Sequence, residues 1–394
     1  MAIESINSEA SPRSVAILGS TGSIGCNTVD LIQRNPDDFV VEALTGNSNV
    51  ALLAEQAVRL RSKLAVVADP SRLEDLRDAL AGSSVEVAAG RQAVIEAASR
   101  PADLVMASIV GVAGLAPTLA AIRRGCIVGL ANKECLVSAG DFVMAEVARH
   151  GANLIPVDSE HSAIYQVFET ERVSSVERII LTASGGPFRE MSKAEMAHVT
   201  PEQAVAHPNW SMGAKISVDS ATMFNKGLEL IEAHHLFSMP EDRIDVLVHP
   251  QSVIHGLVAY EDGSVLSQMG APDMRTPISY ALGWPNRMAA PSARLSLEEI
   301  GQLTFYAPDP DRFPSLKLAR QVLRNGGGAP TIFNAANEVA VSHFLGGRIG
   351  FLDIAEIVEQ TLEKVPSRRL ENLDDVDQTD AEAREAAEEL STNC

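Results

Sequence analysis

The sequence predicts an α/β protein in which an N-terminal parallel sheet is followed by an α+β region and a C-terminal helical bundle. Three observations lead to this fold class. An apolar run at 14–18 ends in a glycine-rich turn and continues with helical spacing, and further apolar runs then alternate with helical segments up to residue 157. From residue 315 onward the apolar residues recur at helical spacing. This alternation of strands and helices is typical of a parallel sheet covered on both faces.

The first predicted domain covers residues 1–151. After the strand at 14–18, its candidate strands are the apolar runs at 39–44, 64–68, 103–110, 126–131 and 153–157. Segments such as 50–61 and 72–80 have the apolar spacing of helices that connect such strands. The last run places the end of this domain near residues 150–158.

The glycine turn after the first strand is a candidate phosphate-binding turn. Gly19, Gly22 and Gly25 are spaced GxxGxxG between a strand and a helix, so the backbone can approach a pyrophosphate at the helix N-terminus. A turn without any ligand is the alternative interpretation. The strand–turn–helix context favours a Rossmann-like, dinucleotide-binding domain.

The segment after the second strand bears on which dinucleotide binds. Residues 45–49 read Thr-Gly-Asn-Ser-Asn and contain no acid that could hold both ribose hydroxyls of NAD. The sequence therefore favours NADP, with Gly46, Asn47, Ser48 and Asn49 as candidate contacts.

Residues 152–283 are predicted to form an α+β domain. Strand-like runs lie at 177–182, 244–248, 253–260 and 264–269, with a hairpin turn at 261–264 and a helix at 220–236 that carries His234 and His235 near its end, where they would favour the helix dipole. A proline-rich linker at 284–313 leads to a helical domain at 314–394. Its last 24 residues, 371–394, hold nine acids and one base, Arg384; no role is predicted for them.

Composition excludes some classes of function. The 394 residues carry a net charge of −20, which argues against a general nucleic-acid binder because such proteins need a basic surface. The uncharged run 104–122 contains Gly111, Gly114 and Pro117, so we predict two elements rather than a membrane span. Four cysteines without CxxC spacing and no recognisable leader predict a reduced, cytoplasmic protein.

Three carboxylates form a candidate metal site. Asp158 and Glu160 follow a strand, and in an extended segment their i, i+2 spacing would point both side chains to one face. A solvated strand end is the alternative, but ligands bind at the carboxyl ends of strands in such sheets. Glu229, from the predicted helix, could supply a third oxygen. An all-carboxylate set suits Mg²⁺ or Mn²⁺.

Phosphate donors lie near Glu229 in the sequence. Asn225 and Lys226 offer amide and ammonium donors within about one helical turn of it, and Ser220 offers a hydroxyl before them. The run Thr182–Pro187, which contains Ser184, is either an anion-binding nest or a simple turn. The segment His207–Gly213 contains Trp210 and Met212 and is either a lid that excludes water or a loop that Trp210 anchors to the core.

Taken in order, these segments closely resemble the 1-deoxy-D-xylulose 5-phosphate reductoisomerase family. The resemblance covers nearly the whole chain and is carried by the following runs: GSTGSIG (19–25), ANKE (131–134), PVDSEH (156–161), SGGPF (184–188), 207–213, 217–229, 249–255 and GAPDMRTP (270–277). It implies an NADPH-binding N-terminal domain, a catalytic domain, a helical bundle and a homodimer. It also implies rearrangement of 1-deoxy-D-xylulose 5-phosphate and its reduction to 2-C-methyl-D-erythritol 4-phosphate.

The resemblance also implies roles for individual residues. Metal ligands would be Asp158, Glu160 and Glu229. The phosphate would be bound by Ser184, Ser220, Asn225 and Lys226, and the rest of the substrate would meet Lys133, Ser159 and His207. NADPH contacts would come from Thr21, Gly22, Ser23, Ile24, Asn132, Glu134 and Gly213. The lid residues would be Trp210 and Met212. One departure is Ser48, which stands where some members have a lysine for the 2′-phosphate.

Two other classes of function are alternatives to this one. Another NADP-dependent oxidoreductase acting on a phosphorylated substrate, such as a semialdehyde dehydrogenase, would need a nucleophilic cysteine in the second domain. The sequence has none between Cys135 and Cys394. A non-catalytic nucleotide-binding protein would have no need of three carboxylates beside phosphate donors.

Overall fold

A computed structural model describes residues 11–208, 210 and 212–392. Seven strands of this part of the chain form the first sheet, and every neighbouring pair is parallel. The strand order is β4-β3-β2-β1-β5-β6-β7. The strands are β1 (Arg13–Leu18), β2 (Phe39–Gly46), β3 (Leu64–Val67), β4 (Glu86–Ala89), β5 (Leu104–Ala107), β6 (Ile127–Leu130) and β7 (Asn153–Pro156). The predicted Rossmann-like fold is thus confirmed.

Helices cover both faces of this sheet. They are α1 (Ser23–Arg34), α2 (Val50–Arg59), α3 (Leu73–Ala79), α4 (Arg91–Ser99), α5 (Leu115–Ile122) and α6 (Glu134–His150), with short 3₁₀ turns at Pro70–Arg72 and Val112–Gly114. A helix from much later in the chain, α12 (Arg275–Gly283), also packs here, placing Ile278, Ala281 and Leu282 in the core of one face. The sheet extends beyond the predicted boundary at residue 151, because β7 is its last strand.

A second sheet lies in the middle of the chain, with the order β11-β10-β8-β9. Its strands are β8 (Val176–Ala183), β9 (Ile244–Val248), β10 (Ile254–Tyr260) and β11 (Val265–Met269). The predicted hairpin turn is present, closed by a bond from Tyr260 N–H to the Ser264 carbonyl at 2.9 Å. The accompanying helices are α7 (Ser159–Val167), α8 (Lys193–Met196), α9 (Pro201–Val205), α10 (Ala214–Ala221) and α11 (Phe224–Phe237), with 3₁₀ turns at Thr170–Ser175 and Glu241–Arg243.

The C-terminal region is helical. The predicted linker contains the short helix α13 (Leu297–Ile300), and the bundle contains α14 (Ser315–Asn325), α15 (Ala329–Leu345), α16 (Asp353–Lys364) and α17 (Leu373–Ser391). The acidic tail is an amphipathic helix, since α17 buries Val376, Ala383 and Ala387 while its acids face outward. Among the described residues, no helix is both long enough and apolar enough to span a membrane.

One local prediction was wrong. The single helix predicted at 220–236 is two helices, because Met223 adopts a left-handed conformation (φ 61°) between α10 and α11 and buries its side chain there. His234 and His235 lie in the last turn of α11, where the sequence places them, and His235 packs against Gly140 on α6. Burial lowers the pKa of His235 to about 4 and so weakens its interaction with the helix dipole.

Candidate active site

The carboxyl end of β7 leads directly into the candidate metal site. Asp158 is the N-cap of α7, and its carboxylate accepts a hydrogen bond from Glu160 N–H at 3.4 Å. The prediction that Asp158 and Glu160 lie in one extended segment is therefore wrong. Asp158 caps a helix that begins at Ser159, so Glu160 lies in the first turn of that helix. The two carboxylates nevertheless approach each other around this turn.

Glu229 joins these two residues from α11. Carboxylate oxygens of Asp158, Glu160 and Glu229 all lie within 4.8 Å of one another. Glu229 is fully buried, and burial together with the Glu160 charge raises its pKa to about 7. Three converging carboxylates, one of them buried, repel one another unless a cation joins them. The oxygen-only donor set fits a hard ion such as Mg²⁺ or Mn²⁺.

Two lysines supply positive charge to these carboxylates. Lys133 Nζ lies 2.6 Å from Asp158 Oδ2, and Lys226 Nζ donates to Glu160 Oε1 at 2.9 Å and also to Glu229. Although burial opposes it, Lys133 holds the pKa of Asp158 well below its usual range. The two ammonium groups offset part of the negative charge of the three carboxylates.

The predicted phosphate residues line one cavity. Ser184, Ser220, Asn225 and Lys226 all face it, together with the predicted lid residues Trp210 and Met212. Asn225 also touches the metal side, where it accepts a hydrogen bond from Lys133 Nζ (2.7 Å) and donates one to Glu229 Oε1 (2.5 Å). Asn225 and Lys226 therefore lie between the carboxylates and the cavity. Ser159, one of the predicted substrate residues, donates its hydroxyl to Glu160 at 2.6 Å.

The turn after β8 brings backbone close to α10. Gly185 and Gly186 both have positive φ (82° and 67°), and a Cβ on Gly186 would lie 2.8 Å from the Ser220 carbonyl oxygen. A side chain at position 186 would therefore push this turn away from α10. The close approach keeps Ser184 and Ser220 on the same cavity.

His207 connects the predicted lid to this turn. Its Nδ1 accepts a hydrogen bond from Trp210 N–H (3.0 Å), so in the neutral ring the proton is on Nε2, which donates to Ser184 Oγ at 2.9 Å. Burial lowers the pKa of His207 and favours this neutral form. Trp210 meets the His255 ring edge-on, 6.0 Å between centroids. Asn209 and Ser211 of this segment lie outside the described residues.

The glycine turn is built as the dinucleotide interpretation requires. Gly19 has φ 84°, and α1 starts at Ser23 after Gly22 without a side-chain cap, which leaves its first N–H groups available to an anion. A Cβ on Gly25 would lie 2.3 Å from the Gly19 carbonyl oxygen, so the turn folds against its own helix. Thr21, Gly22, Ser23 and Ile24 all lie on this turn and the start of α1.

The other predicted cofactor contacts lie on several elements. Gly46 is the last residue of β2, and Asn47, Ser48 and Asn49 come next, where Asn49 caps α2 through Leu52 N–H. Asn132 is almost fully buried, and its amide donates to the Ile109 and Gly111 carbonyls, so its side chain shapes the loop after β5. Glu134 begins α6, and Gly213 caps α10 in an exposed position.

Sequence reasoning missed a buried pair beneath the carboxylates. His161 Nδ1 lies 3.1 Å from Glu232 Oε2, and both side chains are fully covered. Burial raises the pKa of Glu232, while the Glu232 and Asp158 charges outweigh the effect of burial on His161 and raise its pKa to about 9. A signal existed, because each residue stands three positions after a predicted metal ligand on the same helix.

Comparison with known proteins identifies relatives along almost the whole chain. The family model "1-deoxy-D-xylulose 5-phosphate reductoisomerase" matches residues 15–140, and two models of the C-terminal domains of that enzyme match residues 154–237 and 269–386. The 1-deoxy-D-xylulose 5-phosphate reductoisomerase of Rhodospirillum centenum is 64% identical over 378 residues, which is 96% of this chain and 94% of the relative.

Solved structures agree with these sequence matches. The reductoisomerase of Zymomonas mobilis in complex with NADPH superposes with a TM-score of 0.93 at 56% identity, covering 97% of this chain and 100% of the other. A reductoisomerase in complex with NADPH, fosmidomycin and magnesium superposes with a TM-score of 0.92 at 43% identity, covering 96% and 98%.

Proposed function

The chain belongs to the 1-deoxy-D-xylulose 5-phosphate reductoisomerase family, and from that premise we propose how its residues carry out the family's reaction. It is an NADPH-dependent enzyme of isoprenoid biosynthesis that acts on 1-deoxy-D-xylulose 5-phosphate, with NADPH and a divalent metal ion as cofactors. The rearranged and reduced product is 2-C-methyl-D-erythritol 4-phosphate. The observation that carries the residue assignment is the convergence of Asp158, Glu160 and Glu229 beside one polar cavity.

Asp158, Glu160 and Glu229 hold the divalent ion, which when bound acts as a Lewis acid on the substrate's carbonyl and hydroxyl oxygens. With such an ion bound, Lys133 and Lys226, which lie against these carboxylates, would also be placed to contact the substrate. Lys133, Ser159 and His207 would meet the substrate's oxygens. Support comes from the short Lys133–Asp158 and Lys226–Glu160 distances, which show how near the ammonium groups are.

Ser184, Ser220, Asn225 and Lys226 bind the substrate phosphate. The His207 ring donates to Ser184 Oγ, and Gly186 N–H also donates to it at 3.1 Å, so the Ser184 hydroxyl proton points away from both. His207 and Gly186 thus orient the Ser184 hydroxyl so that it can donate a hydrogen bond to the phosphate. Lys226 adds the fixed positive charge that a phosphate dianion needs. Trp210 and Met212, at the cavity edge, exclude water from the reacting atoms.

NADPH supplies the hydride, and the turn at Thr21–Ile24 binds its pyrophosphate at the N-terminus of α1. Residues 46–49 face its 2′-phosphate with hydroxyl and amide donors rather than with a charge. Asn132, Glu134 and Gly213 line the nicotinamide end, with Asn132 acting through the loop after β5.

The assembly and setting of the enzyme are part of the same proposal. We infer a homodimer that works in the cytoplasm without nucleic-acid or membrane partners. The net charge of −20 disfavours nucleic acid. Edge strand β11 exposes Val265 and Leu266 (54% and 42% exposed), and an uncovered apolar edge favours pairing with a second copy. The division into domains at 1–151, 152–283, 284–313 and 314–394 remains a prediction.

The direct test is an NADPH oxidation assay with 1-deoxy-D-xylulose 5-phosphate, with and without Mg²⁺ or Mn²⁺. We expect substrate-dependent oxidation that requires the metal and gives 2-C-methyl-D-erythritol 4-phosphate. Absence of oxidation under every combination would contradict the proposal and favour a binding protein.

A further inference from the structure

We propose that Glu232 is a positioning residue for the metal site, which acts through His161 to fix the separation of the two helices that carry the metal ligands. The inference rests on the proposed role of Asp158, Glu160 and Glu229. It concerns a residue that lies outside that ligand set and outside the substrate cavity.

The metal ligands come from two helices that need a fixed separation. Asp158 and Glu160 lie at the start of α7, whereas Glu229 lies in the middle of α11. His161, one residue after Glu160, crosses this gap. Its Nε2 donates a hydrogen bond of 2.9 Å to the backbone carbonyl of Glu229 itself. The ring thus joins the backbone of one ligand to the helix of the other two.

Glu232 holds the opposite side of this ring. It lies one helical turn after Glu229, and its Oε2 is 3.1 Å from His161 Nδ1, while Asp158 Oδ1 is 3.7 Å from the same nitrogen. Within residues 11–208, 210 and 212–392, neither carboxylate oxygen of Glu232 nor His161 Nδ1 has a hydrogen-bond partner of good geometry, so the 3.1 Å approach is a charge contact rather than a hydrogen bond. Burying such a carboxylate completely costs folding free energy. The close approach of Glu232 to the ring fixes the orientation in which His161 Nε2 reaches the backbone carbonyl of Glu229.

A second metal ion is the competing interpretation of the same atoms. Ligand atoms of Asp158, His161 and Glu232 also lie within 4.8 Å of one another. However, His161 and Glu232 are fully buried, and a hard divalent ion takes about six ligands, for which three atoms in a closed space are too few. We therefore assign these residues to support of the first ion.

The test is a titration of full-length, metal-free protein with Mn²⁺, in which free Mn²⁺ is measured by electron paramagnetic resonance. For Glu232→Gln, which keeps the side-chain volume, we expect Mn²⁺ to bind 10-fold to 100-fold more weakly, the usual effect of losing a partner behind a ligand, with NADPH affinity within about twofold of wild type. The matched control is Glu146→Gln, a buried glutamate on α6 that pairs with Arg123 away from the site; it should leave both affinities unchanged.

Each outcome separates this inference from the proposed function. If Glu229→Gln retains wild-type Mn²⁺ affinity, the proposed metal site is wrong. If Glu229→Gln loses Mn²⁺ while Glu232→Gln keeps it within about twofold, the positioning role is wrong, whatever the change in thermal stability. Two Mn²⁺ ions per wild-type chain, one of them lost in Glu232→Gln, would also overturn it. Should Glu232→Gln fail to fold, Glu232→Asp, which keeps the charge but withdraws it from the ring, is judged by the same criteria.

Discussion

Gly25→Ala should destabilise the cofactor-binding turn, although alanine is the better helix former. Gly25 lies in the first turn of α1, where the change to alanine alone would gain about 1 kcal/mol. The added Cβ, however, would lie 2.3 Å from the Gly19 carbonyl oxygen and 2.5 Å from Ser20 Cα. Normal contact requires about 1 Å more.

The turn has little freedom to give way. Ser20 N–H donates to the Thr45 carbonyl at 2.7 Å, and Gly19 N–H donates to Thr45 Oγ1 at 2.9 Å, which ties both residues to β2. Overpacking of this kind costs about 3 kcal/mol at the upper end of its usual range. After the helix gain is subtracted, we expect a net loss of about 2 kcal/mol. A free-energy change of about 1.4 kcal/mol corresponds to a tenfold change in Kd. If the turn opens to relieve the clash, NADPH affinity should therefore fall by at least about tenfold.

Urea unfolding of the cofactor-free protein and fluorescence titration with NADPH measure these two effects. Gly22→Ala is the matched control in the same turn, because its Cβ would lie 3.4 Å from the Gly19 oxygen, an ordinary contact, at φ −80°. Because alanine is a poorer N-cap than glycine, the unfolding midpoint of Gly22→Ala should fall slightly, and by much less than that of Gly25→Ala. The reasoning fails if Gly25→Ala unfolds at the wild-type midpoint or later.

Three further outcomes follow from the site and its surroundings. Glu229→Gln should lose most turnover even at saturating Mg²⁺, and full turnover in steady-state assays would contradict the metal assignment. Lys226→Ala should lower kcat/KM by about 100-fold, as expected for loss of a charged partner, whereas Lys63→Ala at the surface should not; an unchanged kcat/KM for Lys226→Ala would exclude the phosphate role. Burial lowers the pKa of His235 to about 4, so the stability it confers is complete above its unfolded pKa of about 6.5 and is lost as pH falls toward 4, by at most about 3 kcal/mol. Urea unfolding of His235→Gln from pH 7 to pH 4 should show a shallower loss than wild type, and equal slopes would refute this.

Much of the fold could be predicted because its signals are local. Fully apolar runs such as 104–107 and 127–130 are the expected sequence of buried parallel strands, and the structure has strands there. Strand β4 was not predicted, since Glu86–Ala89 is short, lies at the edge of the sheet and has no fully buried residue. Its place is set by pairing with β3 rather than by its own composition.

Features of the site that depend on distant partners could not be predicted. The run 217–236 has unbroken helical spacing, and nothing in it indicates the left-handed Met223. The sequence around Asp158 is compatible both with an extended segment and with a helix that Asp158 caps, and the structure has the helix. The bond from His161 to Glu229 joins residues 68 positions apart, so only the packing of α7 on α11 reveals it.

The packing of α12 on the first sheet has a consequence for protein synthesis. Residues 275–283 leave the ribosome long after β7 is complete, so the face that Ile278, Ala281 and Leu282 cover stays exposed to water in the meantime. At ordinary elongation rates this interval lasts roughly ten seconds. A nascent chain with such a face is a ready target for chaperones and for aggregation. Expression of residues 1–156 alone should therefore yield an insoluble product, because the piece that finishes the cofactor domain is encoded far downstream of it.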